Sequence, residues 1–378
     1  MRIFIITTYP IKLPYDDAAK NLAIGLVKSL KSHKFTLIGS GKNFLKSPNV
    51  KWLTLPFPRK NVQDMPLLQR IFILLNITFF QMRSTDIFHF IVTPEQHSSS
   101  LFRIIFRLFN KKSVQTITSI HTLEIKRKHK NLSKLFFADK VICLSNYSEN
   151  RLKKKGIRNI KRIYPGVSLT RFNPEAPKMK NIKQGAKHVI IYPGNYKLID
   201  SCYSFNKFCK IISLTLKEST NVRFIMACRI RSTLDRKLEK KFKKIAASWN
   251  ILNNITFLNS VENMPSLLNS SDIGIYPSEK RMTSVLEIPL VLLELMAMKK
   301  PIIFGNIPPL DELMKSKIGI MLSSHSPETY AKEIINLIKK PGLMKEMGIN
   351  GRKTVTKHFN LDTSLKAYKE QYGEIIRK

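Results

Sequence analysis

The sequence predicts an α/β protein made of two doubly wound, parallel-sheet domains. Three observations carry that expectation. Short apolar runs alternate with longer helix-period segments almost throughout, which is the pattern of βαβ units. The pattern stops over residues 172–184, which are rich in Pro, Lys and Asn, and then restarts. The length of 378 residues suits two domains of ordinary size. The expected domains are residues 1–176 and 185–360, with a last helix, 361–378, packing back onto the first.

In the first domain the expected strands are 2–8, 35–39, 86–92, 113–120 and 140–144. Buried parallel strands read as continuous apolar runs, as Val141-Ile142-Cys143-Leu144 does. Helices are expected over 18–32 and 149–155. The second domain begins with strand 188–192 and continues with helix 203–216, strand 222–227 and a charged helix, 236–248. Strand 254–258, a short helix at 264–269 and strand 273–276 follow. A helix over 289–298, strand 301–304 and helices 327–339 and 361–376 complete it. Pro289 opens its helix, because proline has no N–H to lose in a first turn and its φ is already helical.

Hydrophobic residues make up 43% and charged residues 24%, which excludes wholesale disorder. The unusual quantity is a net charge of +39, from 65 Lys and Arg against 26 Asp and Glu. Residues 1–250 hold 48 basic and 13 acidic side chains, whereas residues 251–350 hold ten of each. An anionic partner or a lysine-rich proteome accounts for such an excess. Cys143, Cys202, Cys209 and Cys228 show no CxxC pairing and no metal-ligand spacing, as expected of free thiols in a reducing compartment. The N-terminus reads as a buried strand rather than a signal peptide. The longest apolar run, 65–80, is broken by Gln69, Arg70 and Asn76, short of a membrane span. Neither a GxGxxG nor a complete P-loop is present; Gly39-Ser40-Gly41-Lys42 lacks the required flanking residues.

The most informative segment is Ser284-Val285-Leu286-Glu287-Ile288-Pro289-Leu290-Val291-Leu292-Leu293-Glu294-Leu295-Met296-Ala297, followed by Lys300-Pro301. The free N–H groups of Leu290 and Val291 face the preceding loop, where a diphosphate would be favoured. Glu294 lies in an otherwise apolar helix and needs a partner, either a hydroxyl-rich ligand or an internal N–H or Arg. Glu287, just ahead of the helix, is expected to be exposed.

This segment resembles the donor-binding motif of the retaining glycosyltransferases of family 4. That motif has two glutamates separated by seven residues, and Glu294-Leu295-Met296-Ala297 matches its second half. The position eight before Glu294 is Leu286, so Glu287 stands one residue too close and would substitute through a shifted loop. Four further stretches resemble the family in the same order. They are Ala138–Ser145 with Ile163–Val167 and Arg171–Pro174; Tyr192–Asn195; Met264–Leu268; and Ser271–Ile273 with Tyr276–Ser278.

The resemblance implies a GT-B fold, two Rossmann-like domains facing a central cleft. It implies transfer of a sugar from a nucleotide-sugar to an acceptor hydroxyl with retention, and no obligatory metal or other cofactor. Cations beside the diphosphate are implied; Gly194-Asn195 replaces the usual Gly-Arg, leaving Lys197 and then Arg229 as the nearest cations. Glu294 would hold the ribose, with the base near Val261. His121 would sit beside the transferred sugar, sharing the catalytic role with Glu287, and Asp16 or Asp17 would contact the acceptor.

The helix-like run 101–112 carries basic residues four apart, and 126–130 adds a basic cluster. Both suit an anionic membrane surface, so the expected partners include that surface and a lipid-linked acceptor, at the inner face of a cytoplasmic membrane. The alternatives are a GT-B epimerase, an inactive transferase relative and a nucleic-acid binder. No recognisable DNA or RNA motif accompanies the charge, so no nucleic-acid partner is expected.

Overall fold

The computed structural model describes residues 1–7, 18–39, 47–56, 67–91, 96–118, 135–284, 287–314 and 316–377. It divides into two compact units, Met1–Gly166 with Leu361–Lys378, and Val167–Asn360.

The first unit is an all-parallel sheet of seven strands in the order β3-β2-β1-β4-β5-β6-β7. The strands are β1 (Arg2–Thr7), β2 (Lys34–Gly39), β3 (Val50–Thr54), β4 (Ile87–Ile91), β5 (Lys112–Thr116), β6 (Lys140–Cys143) and β7 (Ile160–Arg162). Alternate residues of β1 enter different cores, because successive side chains leave a strand on opposite faces. Ile3 and Ile5 join Leu26, Val27 and Leu37 on one face. Phe4 and Ile6 join Phe88, Phe90, Phe102 and Phe106 on the other. Helix α1 (Ala18–Ser29) covers the first face; α2 (Leu67–Leu75) and α3 (Gln96–Leu108) cover the second. Helix α4 (Asn146–Lys154) follows β6, its N-cap Ser145 accepting from Ser148 N–H.

The final helix, α12 (Leu361–Arg377), belongs to this unit and buries Leu365, Tyr368, Tyr372 and Ile375 beside α1. A buried chain of hydrogen bonds fastens it. His89 Nδ1 meets Tyr372 Oη at 2.6 Å and its Nε2 meets Thr116 Oγ1 at 2.8 Å, while Tyr368 Oη lies 3.2 Å from the same threonine. Gly166 crosses so close to α12 that a Cβ there would stand 2.4 Å from Leu361 Cα.

The second unit has six parallel strands in the order β10-β9-β8-β11-β12-β13. They are β8 (His188–Tyr192), β9 (Val222–Ala227), β10 (Ile255–Leu258), β11 (Ile273–Tyr276), β12 (Ile302–Gly305) and β13 (Gly319–Leu322). The helices are α5 (Tyr196–Cys202), α6 (Phe205–Glu218), α7 (Thr233–Ser248), α8 (Met264–Ser270), α9 (Leu290–Ala297), α10 (Pro327–Ile338) and α11 (Pro341–His358). The segment read as a linker holds no regular element. It lies against its own unit, with Met179 N–H donating to Ser270 Oγ at 2.7 Å. Arg352 on α11 donates to the carbonyls of Leu169, Phe172 and Ala297, which joins the start of the unit to α9.

Several elements escape the sequence pattern. Strand β3 is half-exposed at a sheet edge, β7 is three residues long, and α11 contains three glycines that lower helix propensity. Packing explains one of these glycines: a Cβ on Gly348 would stand 2.1 Å from the Lys299 carbonyl.

Candidate active site

In the second unit the strand order reverses at β8, with β9 on one side and β11 on the other. In sheets of this kind ligands bind beyond the carboxyl ends of the strands at that reversal. The sequence-predicted residues of this unit all follow such strand ends. Gly194, Asn195 and Lys197 follow β8, Arg229 follows β9 and Val261 follows β10; Glu287, Leu290 and Glu294 lie between β11 and β12.

Gly194 is required by close approach, since a Cβ there would stand 2.3 Å from the buried ring of Tyr192. Asn195 caps α5, its side-chain oxygen accepting from Leu198 N–H at 2.7 Å. That carboxamide is therefore a helix cap and supplies no cation. Lys197 is exposed, Arg229 and Val261 are half-buried, and so is Leu290. Pro289 is the extended N-cap of α9 rather than its first helical residue.

Glu294 is 8% exposed, and burial raises its carboxyl to about 7, opposed by the nearby Arg171 guanidinium. Its carboxyl makes no hydrogen bond to a described residue, so most of its accepting capacity remains unspent. Glu287 corrects an expectation: it is 8% exposed, not at the surface. The segment ahead of α9 turns inward with Ile288, which is buried too, and carries the carboxyl in with it. His121, Asp16 and Asp17 lie outside the described residues, as does the basic cluster 126–130.

Four groups at this edge were not legible in the sequence. Arg171 approaches Glu294 from the chain segment that opens the unit. Tyr196 is 1% exposed, and its hydroxyl has no hydrogen-bond partner among the described residues. Glu239 on α7 accepts from Asn259 Nδ2 at 3.0 Å and pairs with Lys243 at 2.7 Å. Burial acts to raise the Glu239 carboxyl, but these partners and Arg236 hold it below its usual value. Glu279, after β11, pairs with Lys207 and Arg281. Only the acidic character of Glu239 and Glu279 could have marked them in advance. No group of three or more His, Cys, Asp or Glu with metal-binding geometry occurs among the described residues.

Comparison with known proteins bears on the two units and their fold. The family model for Glycosyl transferases group 1 matches residues 204–354, and that for Glycosyltransferase Family 4 matches residues 19–171. An uncharacterized glycosyltransferase of Methanocaldococcus jannaschii is 26% identical over 260 residues, which cover 65% of this chain and 62% of that relative. The fold matches a glycosyltransferase from Rickettsia africae ESF-5 with TM-score 0.73 at 18% identity, covering 100% of this chain and 99% of that one. It also matches HepE of Anabaena, solved in complex with UDP and glucose, with TM-score 0.70 at 15% identity and coverage of 98% and 99%. Two parallel-sheet units, a Glycosyltransferase Family 4 match over the first and a Glycosyl transferases group 1 match over the second lead to one conclusion: the chain has the GT-B fold, and each of its units resembles a glycosyltransferase domain.

Proposed function

We propose that this protein transfers a sugar from a nucleotide-sugar, a UDP-sugar in the first instance, to an acceptor hydroxyl with retention at the anomeric carbon. The observation that carries the reading is Glu294. A buried carboxyl with unspent acceptor capacity, on the helix after β11, is matched by a vicinal diol such as a ribose. The choice of UDP is supported by the complex of the structurally similar HepE.

The diphosphate leaving group gains negative charge as the glycosidic bond breaks, and cations placed beforehand lower that barrier. Arg229 and Lys197 are the cations assigned to it, together with the N–H groups of Leu290 and Val291. The first intrahelical bond of α9 is donated by Leu292, so those two N–H groups are not spent within the helix. Glu287 serves in place of the missing first glutamate through a loop one residue shorter, its carboxyl drawn inside the unit. His121 flanks the transferred sugar, and Asp16 or Asp17 meets the acceptor, a lipid-linked or glycan hydroxyl. The reaction proceeds without an obligatory metal.

Donor hydrolysis over a panel of UDP-, GDP- and ADP-sugars tests the reading, with proton NMR of the released sugar or product reporting anomeric configuration. The expected result is hydrolysis of a UDP-sugar with retention, slowed about 100-fold or more by Glu294→Gln. Unchanged hydrolysis in that variant would remove the assigned site.

A further inference from the structure

The exposed apolar residues are concentrated in one place. Of the thirteen large hydrophobic side chains exposed among the described residues, nine lie on α2, the turn that follows it, and α3 with its last residues. The turn, Asn76–Gln81, is π-helical, and Thr78 Oγ1 bonds back to the Leu74 carbonyl at 2.9 Å. The wider turn leaves two consecutive aromatics outside, Phe79 at 72% and Phe80 at 71% exposure, while Ile77 and Met82, five apart, both face the core. On α3, Phe102 and Phe106 enter the same core, while Ile104 and Leu108 face outward, Leu108 at 76% exposure. Because both helices bury their inner residues in one cluster, their outer faces look out from the same side of the sheet.

The charge on this layer has one sign. Arg70, Arg83, Arg103, Arg107, Lys111 and Lys112 accompany the two helices, and no Asp or Glu occurs in 67–83 or 96–112. Exposed apolar residues of this size in one layer mark an interaction surface, and the cationic fringe selects an anionic partner. A second copy of the chain, docked face to face, would bring like charges together.

We infer that the layer formed by α2, the π-helical turn and α3 docks on an anionic lipid surface, with Phe79, Phe80 and Leu108 inserted among the acyl chains. No helix among the described residues is long and apolar enough to cross a membrane, so this attachment is interfacial. The sequence run 101–112 suggested half of this surface; the aromatic half comes from an apolar segment that reads from sequence only as a failed span. The inference stands whether or not the sugar-transfer reading holds, because the layer lies in the other unit.

Sedimentation of the full-length protein with phosphatidylcholine vesicles, with and without phosphatidylglycerol, tests it. The wild type is expected to sediment with the anionic vesicles and not with the neutral ones. The double variant Phe79→Ser/Phe80→Ser is expected to bind them about tenfold or more weakly, with an unchanged melting temperature because both rings are exposed. Arg83→Gln/Arg107→Gln is expected to weaken binding in low salt and to lose its deficit in high salt. The inference is overturned if the wild type ignores anionic vesicles, or if the phenylalanine variant binds them as wild type does. It is also overturned if sedimentation equilibrium shows a dimer that the same variant dissolves.

Discussion

The surroundings of Glu294 make its carboxyl hold a proton to higher pH than a solvated carboxyl does. Burial raises the carboxyl to about 7 from 4.5, and Arg171 only partly opposes the shift. A group raised in the folded state ionises first in the unfolded chain, so it removes stability as pH rises from 4.5 to about 7. Glu294→Gln deletes that ionisation. The variant is therefore expected to match or exceed the wild-type melting temperature at pH 8, while losing its relative advantage near pH 4.5. On the proposed role the ribose hydroxyls donate to the carboxylate, so UDP binding near pH 6.5 should expel a proton. Calorimetric titration in buffers of different ionisation enthalpy would reveal it. An apparent binding enthalpy that is the same in every buffer would count against the role, as would proton release that survives in the glutamine variant.

At the scale of the element, α12 shows how a helix distant in sequence becomes part of a core. His89 is buried between Tyr372 and Thr116, and burial lowers its imidazole to about 3 from 6.5. It is thus neutral, with one ring nitrogen donating and the other accepting. Because the folded value is depressed, the unfolded chain takes up the proton first, and stability falls as pH drops from 6.5 towards 3. Tyr372→Phe removes the hydroxyl and leaves Nδ1 buried without its partner. It is expected to cost about 1–3 kcal/mol in urea unfolding at pH 7. Both proteins should lose stability on going to pH 5. A variant as stable as wild type at pH 7 would show that the hydrogen bond contributes nothing net.

At the scale of the molecule, the last helix belongs to the unit that begins the chain. Deleting residues 361–378 exposes the partners of Leu365, Tyr368, Tyr372 and Ile375, each buried in that unit's core. Calorimetry is expected to show the first unit's transition lowered or lost and that of the second unit retained. Retention of both transitions would contradict the packing described. The sequence alone determined the alternation of strand and helix, both parallel sheets and the segment around Glu294, because those are written in apolar periodicity and local motifs. It could not reveal α11, whose glycines look like helix breakers until Gly348 is seen against the Lys299 carbonyl. It misjudged Glu287, since exposure is a property of the packed chain and Ile288 draws that segment inward. It allowed an internal Arg beside Glu294 but could not single out Arg171, and it read 65–80 only as too short to cross a membrane. Local pattern decides which segments become strands and helices. Which side chains are desolvated together, and which apolar faces are left outside, depends on contacts between residues far apart in the chain, and only the tertiary structure decides those.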